Sequence, residues 1–186
     1  MLVLASASPR RRELLTQIDV AFTVETADID ETPRAGEGPE SYVQRLAEEK
    51  SAAVFARMGN PAGVTVLGAD TTVVCEGEIL GKPEDSADAA RMLRLLSGRT
   101  HRVMTGVAMV SSRGTKVGIE TTEVEVKPLT EEEIAAYIAT GEPMGKAGAY
   151  AIQGRAARFI PRVSGCYFNV VGLPLAKVSA MLEKQP

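Results

Sequence analysis

The chain has no tryptophan, one histidine, two cysteines, four tyrosines and four phenylalanines among its 186 residues. Each shortage removes a class of function. So little aromatic surface leaves few platforms for stacking single-stranded bases. The lone histidine, His101, excludes any metal site that needs two imidazoles, and nothing pairs it with Cys166, so a thiol-protease reading has no support. Cys75 and Cys166 lie in segments that read as strands and lack the spacing of a zinc site or a disulfide framework, which fits a reducing compartment. No apolar run approaches the ~18 residues of a membrane span, and the start Met1-Leu2-Val3-Leu4-Ala5 has no basic leader, so a soluble, cytoplasmic protein without a membrane partner is expected. Lys and Arg number 21 against 24 Asp and Glu, a net charge of −3, so no global positive field exists to hold a nucleic-acid backbone and no nucleic-acid partner is expected. Any anion site must be local.

What is present is an ordinary globular composition, 45% hydrophobic and 24% charged. The length suits one domain over residues 1–186, since folded units mostly run to ~100–200 residues. Leu2 to Ala5 reads as a strand, followed by a loop and a helix with Ser8 as N-cap and Pro9 in the first turn. Phe22 to Ile29 looks extended, and Thr32 to Gly38 reads as a flexible loop. Val43, Leu46, Ala47 and Val54 form one stripe of a helix from Pro39 to Arg57. Val64 to Cys75 reads as a buried strand interrupted at Gly68-Ala69-Asp70, and Glu76-Gly77 turns it into a hairpin with Ile79 and Leu80. A helix follows Asp85 or Ser86 and stops at Gly98. Strands near 101–110 and 115–126 precede a capping box of Thr130 and Glu133. A small-residue loop over Glu142 to Gly154, a strand near Tyr167 to Val171 and a helix after Pro174 complete the chain. Mixed strands and helices throughout predict an α/β fold, a twisted mixed sheet flanked by helices.

Several residues are candidates for chemistry. A helix start offers free backbone N–H groups to an anion, and Ser6 and Ser8 add hydroxyls beside it. Arg10 and Arg11 oppose the helix dipole there; a bound polyphosphate would resolve the conflict, while a solvated face balanced by Glu13 is the plainer alternative. Lys50 shares the inward face of its helix, either lying along apolar surface with its amine in water or aiming that amine at phosphate. Asp70 interrupts a core strand and must be hydrogen-bonded, protonated or bound to a cation. Asp28, Asp30 and Glu31 end a strand where a carboxylate could reach a cleft, or they form a solvated acidic turn. Two carboxylates ~4 Å apart repel by about 4 kcal/mol at an effective dielectric near 20, so a site shared with Asp70 calls for a divalent cation, Mg²⁺ or Mn²⁺ given oxygen ligands. Gly141 to Ala147 is one residue short of a P-loop and has Ala147 where a magnesium-binding hydroxyl belongs, so it is not one.

Taken together, Ser6-Ala7-Ser8-Pro9-Arg10-Arg11, Gly68-Ala69-Asp70-Thr71, Gly81-Lys82-Pro83, Ser97-Gly98-Arg99-Thr100-His101, the run Lys146 to Gly154, and Val170-Val171-Gly172-Leu173-Pro174 resemble the Maf family of nucleoside triphosphate pyrophosphatases across essentially the whole chain. The resemblance implies hydrolysis of a nucleoside triphosphate between its α- and β-phosphates. It also implies a fold similar to that of the inosine triphosphate pyrophosphatases, with a deep cleft, and a homodimer. By position, Asp70 matches the family's proton acceptor, Lys50 and Lys82 its phosphate-binding lysines, and Asp30 a cleft carboxylate that is often Glu. Arg10 after Ser8-Pro9, Thr71 after Asp70, and Gln153 resemble the subgroup acting on dTTP and UTP. Gly145 departs from relatives that have Asp there. The expected site is therefore Asp70, Lys82 and Lys50 for catalysis, Ser6, Ser8, Arg10, Arg11, Thr71, Gln153 and Lys146 for substrate, and Asp30 with Asp70 for the metal. A non-enzymatic nucleotide-binding regulator of septum formation is the alternative. A phosphatase or kinase is weaker, for want of a Walker motif or a phospho-acceptor Asp or His.

Overall fold

Apolar periodicity and cap residues mark out most of the elements. The computed structural model describes residues 1–183. It contains β1 (Leu2–Ala5), α1 (Pro9–Gln17), β2 (Phe22–Glu25), α2 (Pro39–Arg57), β3 (Thr65–Cys75), β4 (Glu78–Leu80), α3 (Ser86–Leu96), β5 (Thr100–Ser111), β6 (Gly114–Glu125), α4 (Glu131–Ile138), β7 (Arg162–Ser164), α5 (Tyr167–Val171) and α6 (Leu175–Glu183). The strands follow the order β2-β1-β3-β5-β6-β7, with β4 beside β3. This is the expected α/β fold with a mixed sheet. The expected caps are in place: Ser8 accepts from the Arg11 N–H, Asp85 from that of Asp88, and Thr130 and Glu133 satisfy each other's backbone donors. A cap of this kind contributes about 1 kcal/mol.

The described residues form two compact units, and β3, β5 and β6 each run from one into the other. The first consists of Met1–Thr71, Thr105–Glu120 and the described chain from Gly172 onward. Within it β1 pairs in parallel with both neighbours, Val3 lying opposite Thr23 of β2 and Val66 of β3. Val3, Leu4, Val66 and Leu67 are fully buried, as strands covered on both faces require. Helix α2 buries Val43, Leu46, Ala47 and Val54, and its backbone touches the backbone of the sheet. A Cβ on Gly68 would overlap the carbonyl oxygen of Ala47, and one on Gly106 would overlap that of Val43. Only glycine permits this approach.

The second unit consists of Thr72–Met104 and Thr121–Val171. Here the end of β3 turns back on β4 through Glu76 and Gly77, both at positive φ (51° and 86°), the conformation of a two-residue hairpin turn. Strand β7 pairs antiparallel with β6, Val163 opposite Val124. Helix α3 packs against α4 and against a short 3₁₀ turn, Ala147–Ala149.

Three expectations need correction. Tyr167–Val171 is a helix, not a strand. Its β-branched residues are overruled by Asn169, whose buried amide donates to the Val103 carbonyl and the Thr122 hydroxyl and so anchors a turn. Cys166 accordingly lies in the turn before α5, bonded through its backbone to Thr122. Strand β2 stops at Glu25, well short of Ile29.

His101 stands at the start of β5. Its buried ring shares a 2.8 Å hydrogen bond with the Tyr150 hydroxyl and meets that ring edge-on. Burial pushes its pKa down to about 4 from 6.5, so the folded protein holds it neutral. Below pH 6.5 the unfolded chain takes up a proton that the folded one refuses, and stability falls as pH drops toward 4. The loss amounts to roughly 3 kcal/mol for a shift of this size. Thermal melts from pH 7 to 4 will show this slope in the native protein, and His101→Gln will flatten it; an unchanged slope would assign the acid sensitivity to other groups.

Candidate active site

The loop after β1 is organised around Arg11. Ser6 is buried and accepts the Ser8 N–H at 3.2 Å, which sets the turn into α1. From the first turn of α1, the Arg11 guanidinium reaches back to the sheet. Its Nε donates to the Gly172 carbonyl (2.8 Å), Nη1 to the Ala69 carbonyl (2.9 Å) and the Ser6 hydroxyl (3.2 Å), and Nη2 to the Thr71 hydroxyl (3.1 Å). Thr71 is tied in turn to the Thr105 hydroxyl at 2.8 Å. Burial lowers the Arg11 pKa, and the charge of Asp70 opposes that shift. Arg11 thus grips β3 on both sides of Asp70. Ser6, Arg11 and Thr71, expected as substrate contacts, are engaged with one another and with the main chain. Arg10 is half-buried, with Glu13 as its electrostatic neighbour.

Asp70 itself faces Lys50. The lysine Nζ donates to Asp70 Oδ1 at 2.7 Å and lies 2.7 Å from Glu31 Oε1. The Lys50 and Asp70 side chains are only 11% and 12% exposed, whereas Glu31 is 48% exposed. The close approach of Ala47 to Gly68 explains the meeting: three residues farther along α2 and two farther along β3 bring Lys50 to Asp70. Asp70 is thus hydrogen-bonded, one of the states expected of it, while the Lys50 amine sits between two carboxylates, a place that neither reading of it had given.

The acidic segment after β2 is strapped to α2. The Tyr42 hydroxyl donates to the Glu31 carbonyl (2.9 Å), Arg45 to the Thr32 carbonyl and both Glu37 oxygens, and Arg57 to the Thr26 carbonyl (2.9 Å). The loop expected to be flexible is therefore tied down. Burial, then the charges of Asp70 and Glu31, push the Tyr42 hydroxyl up to about 12. The Arg45 hydrogen bond draws the Glu37 carboxyl down to about 2.

Asp30 does not join this pair. Its exposed carboxylate accepts the Thr32 N–H at 2.9 Å, the Thr32 side chain and then this backbone bond lower its pKa, and its neighbour Glu31 is the residue that shares a cation with Asp70. Among the described residues no three His, Cys, Asp or Glu side chains gather as a metal cluster. Mg²⁺ and Mn²⁺ need less than that beside phosphates, often one or two carboxylates with the remaining ligands from substrate and water. Asp70 and Glu31, hard oxygen donors converging on one cationic atom, fit that need. The acidic run drew attention in the sequence; which of its members turns inward depends on the strap and could not be read from spacing.

In the second unit, Lys82 and Gln153 are exposed, and Lys146 is half-buried. The Gly148 N–H donates to the Gly81 carbonyl at 3.1 Å, which sets the segment carrying Lys82 beside the one carrying Lys146. Gly148 has a φ of 67° and packs on Val73 where a Cβ would collide, so only glycine suits this crossing.

The model of the Maf-like protein family matches residues 1–185. The chain belongs to this family. It is 53% identical to a dTTP/UTP pyrophosphatase of Pelotomaculum thermopropionicum, over 98% of this chain and 95% of that one. It is 54% identical to one of Geobacter sulfurreducens, with 98% and 95% covered, and 53% identical to one of Myxococcus xanthus, with 99% and 92% covered. Among solved structures, the Ham1 protein of Staphylococcus aureus shares the fold, with a TM-score of 0.58 at 18% identity over 100% of this chain and 99% of that one. No helix among the described residues is long and apolar enough to cross a membrane.

Two outcomes follow from the buried charges. Lys50→Met strands a carboxylate inside and will cost about 3 kcal/mol of stability, while Lys50→Met with Asp70→Asn will cost less than the two changes summed; strictly additive losses in urea melts would show that the pair is not coupled. Arg11→Lys keeps the charge but loses the planar fork, and will lower stability by about 2 kcal/mol in the same assay.

Proposed function

We propose that the protein is a metal-dependent nucleoside triphosphate pyrophosphatase that hydrolyses dTTP and UTP to the monophosphate and pyrophosphate. The observation that carries this reading is a carboxylate inside the sheet, Asp70, held by a half-buried lysine that also engages Glu31. The names of relatives at about half identity over nearly their whole length support the substrate class.

The chemistry needs a positioned water, an acceptor for its proton and positive charge at the leaving pyrophosphate. Lys50 occupies Oδ1 of Asp70, so Oδ2 is the oxygen that takes the proton of the attacking water. As the water oxygen bonds to the α-phosphorus, the bridging bond to the β-phosphate breaks and its electron pair leaves with pyrophosphate. Asp70 and Glu31 would hold Mg²⁺ or Mn²⁺ in the role expected of Asp70 and Asp30. When bound, such an ion neutralises charge on the phosphate oxygens. Lys82, Lys146 and Arg10 supply further positive charge, and Ser8 a hydroxyl. Gln153 can both donate and accept, as the edge of uracil or thymine requires. Ser6, Arg11 and Thr71 hold the chain on either side of Asp70.

Incubation with dTTP and Mg²⁺ or Mn²⁺ will yield dTMP and pyrophosphate, and a chelator will stop the reaction. Orthophosphate with dTDP would overturn the assignment of the bond. Asp70→Asn will lower kcat by about 10²–10⁴, the range for loss of a general base, while nucleotide binding persists. Retained turnover would remove Asp70 from its role.

A further inference from the structure

The small-residue run from Glu142 to Gly154 contains one carboxylate, and the structure gives it a job that the reaction above does not use. Glu142 Oε1 accepts the hydroxyl of the buried Tyr137 at 2.8 Å, and that hydroxyl accepts the Ala151 N–H at 3.2 Å. On the other side, Glu142 Oε2 accepts the Arg155 N–H at 3.0 Å, and Oε1 the Ala156 N–H at 3.4 Å. One carboxylate therefore holds both ends of the segment 151–156. Between those ends Ile152 is buried, Gln153 is exposed, and the Gly154 N–H closes the turn on the Ala151 carbonyl at 3.0 Å.

Gly154 reports on the same contact independently. A Cβ built there would collide with all three atoms of the Glu142 carboxyl group. Its φ of −104° is open to any residue, so the space, not the backbone conformation, is what calls for glycine. Burial alone would raise the Glu142 pKa, but the Arg155 N–H, the Tyr137 hydroxyl and the Ala156 N–H outweigh it and keep the group ionised. A charged acceptor that binds two backbone N–H groups and a tyrosine is stiffer than a chain of neutral bonds.

We propose that Glu142 is a positioning residue for pyrimidine recognition, clamping segment 151–156 through Tyr137 and two backbone N–H groups so that Gln153 is presented in one orientation. This rests on the reading of Gln153 as the residue that bonds the base. A hydrogen-bonding side chain discriminates between bases only when its backbone cannot swing to suit each of them. Gly154 belongs to the device because any larger residue would displace the carboxylate.

Steady-state kinetics with dTTP, UTP and dGTP, run on the native enzyme and on Gln153→Ala, Glu142→Ala, Glu142→Gln, Gly154→Ala and Tyr137→Phe, test this. Gln153→Ala and Glu142→Ala will each raise KM for dTTP and UTP about tenfold, the scale of one lost hydrogen bond to the base, with kcat within about twofold and dGTP unaffected. Glu142→Gln, which keeps one carbonyl acceptor, will recover part of that loss, and Gly154→Ala and Tyr137→Phe will reproduce part of it with Glu142 intact. If Glu142→Ala does not fold, the last two variants decide. Folded variants that melt earlier but keep the native preference for pyrimidines would overturn the clamp as a device of recognition. If Gln153→Ala still loses the preference in that case, only the clamp fails. If Gln153→Ala keeps it too, the role of Gln153 fails and the clamp with it.

Discussion

An ionised carboxylate inside a sheet is tolerable only if a cation meets it there, and the first unit is arranged so that Lys50 does. The ammonium can arrive only because α2 lies with its backbone on β3. That contact exists because residue 68 has no side chain. Gly68 and Asp70 are thus two parts of one device, the glycine setting the distance and the aspartate using it. An alanine at 68 would push α2 outward, and Lys50 would have to stretch across the added gap. The pairing also explains why a lysine stands in the apolar stripe of α2, a position where charge is normally excluded.

The arginine at the start of α1 solves a second electrostatic problem. Positive charge in the first turn of a helix opposes the dipole, and a bound anion was one way out. The structure uses another: the guanidinium bends away from the helix axis and spends its donors on two backbone carbonyls and two hydroxyls. Its planar fork suits four acceptors at fixed positions, which a lysine could not satisfy together. The residues on either side of Asp70 are thereby both bonded to Arg11, which ties this part of the strand to α1. Proton transfer requires a positioned acceptor.

Element types and ends were largely legible because apolar periodicity and cap residues are local signals. Pro39–Arg57, the hairpin at Glu76-Gly77 and the capping box at Thr130 all rest on contacts within a few residues. The short helix at Tyr167 was not legible, since its turn depends on an amide reaching the carbonyl of Val103, far away in the sequence. Asp70 and Lys50 could be singled out as charges in apolar surroundings. That they choose each other, and that Ser6, Arg11 and Thr71 face inward, is tertiary information. The resemblance to a family supplied positions for these residues, but it did not distinguish a side chain that touches substrate from one that holds a neighbour.

The acidic segment shows why this distinction matters for chemistry. Thr32 to Gly38 has the glycine, proline and charge of a mobile loop, and left to itself would lose considerable entropy on delivering a carboxylate to Lys50. Arg45 removes most of that freedom, because it engages Glu37 and the Thr32 carbonyl together, while Tyr42 fixes the carbonyl of Glu31 itself. The order thus comes from the chain's own side chains. A second carboxylate held beside Asp70 raises the local negative charge, which one lysine offsets only in part. The remaining demand for positive charge is what makes the pair suited to a divalent cation brought in with phosphate. The same arrangement would repel a bare polyphosphate.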